Sequence, residues 1–258
     1  MKILVTGHRG FIGSNLYKKL RDIGHDVDGF EWGDEFPGFN YQVVMHIGAI
    51  SSTTERDVEK VMTRNYDFSV WLLESCNRQG INFQFSSSAS VYGLLNEFKE
   101  TSPVDPRTPY AWSKYMFERY TKSKQWNINV QGFRYFNVYG PGEDHKGDQA
   151  SPYHKFTKQV EEKNEINLFD GSEGFYRDFI HVDAVVDTHI RFLNVRESGI
   201  WNLGTGKVKS FLDVAKEVSY NTTKLNYIPM PENLRDSYQK YTCADMAKME
   251  KTLDLPFV

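Results

Sequence analysis

Short apolar runs alternate with amphipathic stretches through the first half of the chain. Residues 2–6 form a β-branched and apolar run that stops at Gly7, the pattern of a strand buried on both faces of a parallel sheet. Gly7-His8-Arg9-Gly10-Phe11-Ile12-Gly13 follows, then a helical pattern to about Ile23, with Leu16 and Leu20 four apart and Gly24 closing it. Residues 25–31 read as a second strand, completing the order of a right-handed βαβ unit. Residues 43–47, 81–85 and 129–133 read as further strands. Ser51-Ser52-Thr53-Thr54 ahead of Glu55 is expected to cap a helix reaching towards Gly80, and Pro109 to open another.

Beyond Tyr139-Gly140-Pro141-Gly142 the alternation is less regular. Helices are expected over 153–163, 183–193 and 210–220, the last opened by Ser210 with Asp213 at capping-box spacing, and strands over 166–169 and 200–203. This pattern predicts an α/β chain. Residues 1–140 make a doubly wound, parallel Rossmann sheet, and residues 141–258 a smaller C-terminal α/β substrate lobe, from which a strand or helix can return to the first domain.

Composition narrows the partners. With 40% hydrophobic residues over 258 positions the chain can bury a sizeable core. Lys+Arg 31 against Asp+Glu 34 leaves a net charge of -3 without a basic stripe, so neither nucleic acid nor a membrane surface is an expected partner. No apolar run approaches the roughly 20 residues of a membrane span. Met1-Lys2-Ile3-Leu4-Val5 runs directly into the glycine loop without a signal-peptide layout, and a cytoplasmic location is expected. Cys76 and Cys243 form neither a metal pattern nor a disulfide framework, so no metal is expected.

The candidate chemistry sits at the ends of the strands. Gly7-x-x-Gly10-x-x-Gly13 between a strand and a helix lets backbone N–H groups approach a pyrophosphate, which points to a dinucleotide. Glu31, ending the second strand, suits the ribose hydroxyls of NAD, whereas Arg9 in the loop suits the 2′-phosphate of NADP; the sequence leaves both open. Tyr110 and Lys114, four apart, share a helix face, and an ammonium beside a phenol favours its ionised form. Tyr110 is thus a candidate acid/base. The Ser86-Ser87-Ser88 strand end should face the same crevice, where a serine hydroxyl can bond a substrate oxygen.

These motifs carry a resemblance. Thr6-Gly7-x-x-Gly10-Phe11-Ile12-Gly13, Ser86-Ser87-Ser88-Ala89-Ser90-Val91-Tyr92-Gly93 and Tyr110-x-x-x-Lys114 resemble the extended short-chain dehydrogenase/reductase family, in its nucleotide-sugar branch. His46-Ile47-Gly48-Ala49-Ile50-Ser51-Ser52-Thr53-Thr54-Glu55, His145-Lys146-Gly147 and Phe169-Asp170-Gly171-Ser172-Glu173 are most similar to the ADP-L-glycero-D-manno-heptose 6-epimerases within it. The resemblance runs almost the whole length. It implies transient oxidation and re-reduction of an ADP-activated heptose at C6 by a tightly bound NADP or NAD, with a slight lean to NADP, in lipopolysaccharide synthesis and in a homo-oligomer.

By the same resemblance, Tyr110 is one acid/base, Lys114 lowers its pKa and holds the nicotinamide ribose, Ser88 binds the substrate hydroxyl, and Lys146 is a second acid/base across the sugar. Gly7, Arg9, Gly10, Phe11, Ile12, Gly13, Glu31, His46, Gly48, Ala49, Asn65, Asn137, Val138 and His145 fall on cofactor positions with Tyr110 and Lys114. Ser51, Asn137, Phe169, Asp170, Gly171, Ser172, Arg177 and Tyr238 fall on substrate positions beside Ser88 and Lys146, and the planar fork of Arg177 suits a diphosphate.

Three departures qualify the match. The stretch between Glu31 and Val43 is short, and the family's third strand with its adenine-contacting acid is missing; Asp148 replaces a serine near the substrate; and Val258 falls short of the family's final helix. A 4-epimerase or 4,6-dehydratase of the same branch is the nearest rival, and a non-catalytic dinucleotide-binding regulator a second.

Overall fold

The computed structural model describes residues 1–232 and 239–254. Tyr238, expected at the substrate, lies outside them. The chain runs β1 (Lys2–Thr6), α1 (Phe11–Asp22), β2 (Asp26–Phe30), β3 (Val43–His46), α2 (Val58–Met62), α3 (Phe68–Gln79), β4 (Asn82–Ser88), α4 (Pro109–Thr121) and β5 (Val130–Tyr135). It continues through β6 (Asn137–Tyr139), α5 (Pro152–Lys163), β7 (Glu165–Phe169), β8 (Tyr176–Arg177), β9 (Phe179–His181), α6 (Val182–Arg191), β10 (Gly199–Leu203), β11 (Lys209–Ser210), α7 (Phe211–Val218) and β12 (Lys224–Ile228). A further helix spans Ala247–Leu253.

Six of these strands make one parallel sheet in the order β10-β5-β4-β3-β1-β2. Both faces are covered. Ile3 and Val5 pack with Leu16 and Leu20 of α1 and Val182 and Val186 of α6, while Leu4 and Val44 pack with Leu72 and Leu73 of α3 and Phe117 of α4. Double burial explains the unbroken apolar runs that betrayed these strands. Register aligns Thr6 with His46, His46 with Phe85, and Ser86 with Phe133, so these strands end together above the β1–β3 boundary, where the order of connection reverses.

Both a strand and a helix from beyond residue 140 join the first domain. β10 pairs with β5 in the central sheet, and α6 packs on α1, so residues 182–203 build on the first domain. The smaller lobe holds α5, α7 and the β7–β12 pair around Phe156, Val160, Ile166, Leu168 and Val214.

Two local readings need correction. Asp57, not the Ser51–Thr54 run, caps the helix leading to Gly80; its carboxylate accepts from Lys60 N at 3.0 Å. Between α2 and α3 the helix widens into a π turn over Thr63–Asp67, a form that apolar periodicity does not announce.

One charged pair lies in the core. Arg134 of β5 donates to both Glu118 oxygens, at 2.9 Å from Nε and 2.5 Å from Nη2, and neither residue exposes more than 2%. Ser87 Oγ donates to the same carboxylate at 2.5 Å. Replacing Arg134 with Met should cost about 3–5 kcal/mol, because Glu118 is left buried without its counter-charge. Urea unfolding at pH 7 measures it, and a loss below about 1 kcal/mol would contradict this account.

Candidate active site

The glycine loop meets the end of β3 at close quarters. Gly7 has φ of +73° and its N–H donates to Phe30 O at 2.8 Å, while Gly10 N–H returns to Gly7 O at 3.0 Å. A methyl group at Gly7 would collide with Gly48 Cα, and one at Gly13 with the Gly7 carbonyl. The loop therefore tolerates no side chain at either position, and α1 begins directly at its edge. That is a cradle of the kind a pyrophosphate occupies.

His46 lies beneath it. The ring is 3% exposed and bonds Thr6 Oγ1 and Ser69 Oγ, each at 2.7 Å, and burial beside Lys114 lowers its pKa to about 3. His189 is likewise buried, bonded to Tyr135 OH at 2.5 Å and Gln84 Oε1 at 2.8 Å, and burial lowers it to about 3. Both fold as neutral rings, whereas the unfolded chain protonates them near 6.5. Between pH 6.5 and 3 the unfolded state holds more protons, so stability should fall as pH falls, by up to roughly 2.7 kcal/mol per unit for the two together. Urea midpoints at pH 7 and pH 5 test this; equal midpoints would refute it.

A cleft of about 290 Å³ opens over the loop. Its walls bring together Gly7, Gly10, Phe11, Ile12, Gly13, Glu31, Gly48, Ala49, Ser51, Tyr110, Lys114, His145 and Lys146 from the expected set, with Ser86, Ser87 and Tyr135 added. Pro109 occupies the first turn of α4, and Thr108 caps it by accepting from Ala111 N at 3.1 Å, which fixes the helix end that carries Tyr110. Lys114 donates to Ser86 O at 2.8 Å and Ser86 Oγ at 3.1 Å.

The electrostatics differ from the expected phenolate. Burial raises the Tyr110 pKa, opposed by a hydrogen bond with Ser88. Burial lowers Lys114 to about 7, opposed by Glu118. The ammonium lies 5.9 Å from the Tyr110 ring centroid and bonds β4 instead, so it does not stabilise the phenolate in this arrangement. Tyr110 is set up as a protonated donor next to a lysine that titrates near neutrality.

Lys146 also lines the cleft, on a short helical turn between β6 and α5. Its Nζ lies 4.7 Å from the Phe11 ring centroid and donates to Glu143 Oε2 at 3.0 Å. Glu143 is fully buried and also accepts from Ser151 N at 2.7 Å and Ser151 Oγ at 2.6 Å. Sequence reading passed over Glu143, although its i,i+3 spacing to Lys146 was visible. Asp148 is exposed, and its backbone carbonyl accepts from Lys155 Nζ at 2.7 Å.

Several expected contacts are engaged elsewhere. Arg9 extends to Asp34 Oδ2 at 3.0 Å, away from the loop, while Glu31 Oε1 accepts from Arg9 N at 2.6 Å. Asn65 clamps Ile50 through both its N–H and its C=O, at 2.8 and 2.9 Å, so it shapes the cleft wall without lining it. Asn137 Nδ2 bonds Asp178 O at 3.2 Å, and Val138 packs into the core. Phe169, Asp170, Gly171 and Ser172 stand at the end of β7 in the smaller lobe, outside the walls of the Tyr110 cleft. Arg177 is buried there, donating to the carbonyls of Tyr176 and Gln239.

Comparison with known proteins shows the family. Residues 3–204 match the model of the NAD dependent epimerase/dehydratase family. The chain belongs to that family. It is 38% identical to an ADP-L-glycero-D-manno-heptose-6-epimerase of Brachyspira hyodysenteriae, over 99% of this chain and 93% of that protein. Among solved structures, the UDP-glucose 4-epimerase of Thermotoga maritima with UDP-glucose is 26% identical, with a TM-score of 0.86 over 100% of this chain and 94% of that one. The Helicobacter pylori ADP-L-glycero-D-manno-heptose-6-epimerase, 24% identical, shares the fold with a TM-score of 0.89 over 100% of this chain and 91% of that one. For a member of this family, the Gly7–Gly13 cradle and the walls around it fit a nicotinamide dinucleotide.

Proposed function

We propose that this chain is an epimerase that inverts C6 of an ADP-activated heptose. The observation that carries the reading is that Tyr110 and Lys146 line one cleft from different elements, beside the dinucleotide cradle. Inversion through a ketone needs a proton acceptor on one side of the sugar and a donor on the other. A nicotinamide dinucleotide held by the Gly7–Gly13 cradle would supply reversible hydride exchange with the carbinol carbon. Tyr110 exchanges the proton of the hydroxyl in one configuration, with Ser88 steadying that oxygen. Lys146 does the same for the other configuration. Lys114 holds the ribose end and adjusts the charge around Tyr110.

The cofactor proposed is NAD. Glu31 closes β2 next to the cradle, and the Arg9 guanidinium that a 2′-phosphate would need is paired with Asp34. The smaller lobe, through Phe169–Ser172 and Arg177, takes the nucleotide end of the substrate. We place the enzyme in the cytoplasm, supplying surface glycans such as lipopolysaccharide; among the described residues no helix is long and apolar enough to cross a membrane. Exposed Trp71 and Trp112 on α3 and α4 provide a face for self-association.

The deciding experiment incubates the purified protein with ADP-D-glycero-D-manno-heptose and follows C6 by NMR, with UDP-glucose and dTDP-glucose in parallel. Inversion at C6 alone is expected. Turnover of a hexose instead, with the heptose unchanged, would move the chain to a 4-epimerase or 4,6-dehydratase.

A further inference from the structure

The sheet ends at β2, and among the described residues no strand lies beyond it. An aromatic loop follows β2 instead. Asp34 N–H bonds Glu31 O at 3.0 Å, and Gly33 takes a φ of +100°, so the chain turns tightly as it leaves β2 and Trp32 stands at the corner. Phe36 and Phe39 then pack against Trp71, at 5.0 and 5.7 Å between centroids, and Trp32 meets Phe68 edge-on at 5.5 Å. Thus the loop is pinned to α3 by rings rather than by strand pairing.

A second cavity of about 290 Å³ lies behind this corner. It shares Gly7, Glu31, Gly48 and Ala49 with the Tyr110 cleft, so the two form one path across the glycine loop. Its remaining walls include Phe30, Trp32, Ile50, Arg64 and Phe68. Arg64 comes from the π turn, and its guanidinium carbon lies 5.3 Å from the Trp32 centroid. No carboxylate among the described residues forms an ion pair with it. An indole and a guanidinium together at the rim of this slot offer a ring face and hydrogen-bond donors to a planar, uncharged, nitrogen-rich ring.

We propose that Trp32 and Arg64 form the adenine-binding wall of this protein, in place of the missing third strand. The inference rests on the dinucleotide reading of the cradle. The aromatic slot takes the base by stacking, and Glu31, where the two cavities join, faces the adjoining ribose. Because the base is held by ring faces, removing the indole should cost affinity only for ligands that carry adenine.

The test measures binding by calorimetry to the full chain, with NADH, ADP-ribose and reduced nicotinamide mononucleotide as probes. Trp32→Leu should weaken NADH and ADP-ribose roughly tenfold to a hundredfold, the size of one lost base–aromatic stack. The adenine-free mononucleotide should bind as before. Trp32→Phe should restore most of the loss, and ADP-ribose should quench indole emission in the parent but not in Trp32→Phe, although four other tryptophans remain. Arg64→Met should weaken the same two ligands by a smaller factor. Unchanged ADP-ribose affinity in Trp32→Leu would overturn the proposal while leaving the dinucleotide reading intact. Equal loss for all three probes would overturn it by showing general damage. A parent protein that binds none of them would overturn both.

Discussion

Replacing Tyr110 with Phe should reduce C6 inversion by roughly a thousandfold, within the range that a positioned acid/base contributes. Only a hydroxyl is lost. The Phe ring keeps the packing of the α4 end, whose geometry is set by Pro109 and the Thr108 cap. Lys114 keeps its bonds to Ser86, because its Nζ does not bond the phenol. NADH affinity by calorimetry and the melting temperature should therefore match the parent. The raised pKa of Tyr110 adds a second signature. The group is a neutral phenol at pH 7, so its first act with substrate is donation or shared hydrogen bonding, and deprotonation has to be assisted by Lys114 as bound. Replacing Lys114 with Met should then cost activity and cofactor affinity together, unlike Tyr110→Phe. A Tyr110→Phe enzyme that keeps more than a tenth of parental turnover would remove the tyrosine from the proton path.

The central sheet was legible because its strands are buried on both faces. Double burial writes the runs at Lys2–Thr6 and Val43–His46 in apolar residues, and Gly24 and Gly80 mark the helix ends. The cradle and the Tyr110–Lys114 pair were equally plain, since both are local in sequence. The parts that escaped depend on contacts between distant segments. Glu118 reads as a surface charge on α4 until Arg134, sixteen residues on, comes to meet it on the next strand. The bonds of Asn65 to Ile50 depend on the π turn, which no local pattern announces. Arg64 and Trp32 share no periodicity, and only the loop that replaces a strand puts them together. The sign of the Tyr110 shift also escaped, because four-residue spacing fixes the face of a helix but not what the lysine donates to.

Lys146→Met should abolish inversion to a similar degree, yet leave half of the chemistry running. If Tyr110 serves one configuration and Lys146 the other, each variant still exchanges the proton of its own epimer and then stalls at the ketone. Mixing Lys146→Met with each heptose epimer should produce reduced-cofactor fluorescence with one of them, and Tyr110→Phe should produce it with the opposite one. A purely structural lysine cannot give that exchange of signals. Glu143 refines the argument. It is fully buried, is held by Ser151, and accepts from Lys146 Nζ. Glu143→Gln keeps the size and hydrogen-bonding reach of the side chain but loses the charge that draws the ammonium to its place over Phe11. It should lower kcat about tenfold with KM for the nucleotide sugar nearly unchanged, and it should stall with the same epimer as Lys146→Met. Parental turnover in Lys146→Met, with no reduced cofactor from either epimer, would leave Tyr110 serving both faces of the sugar.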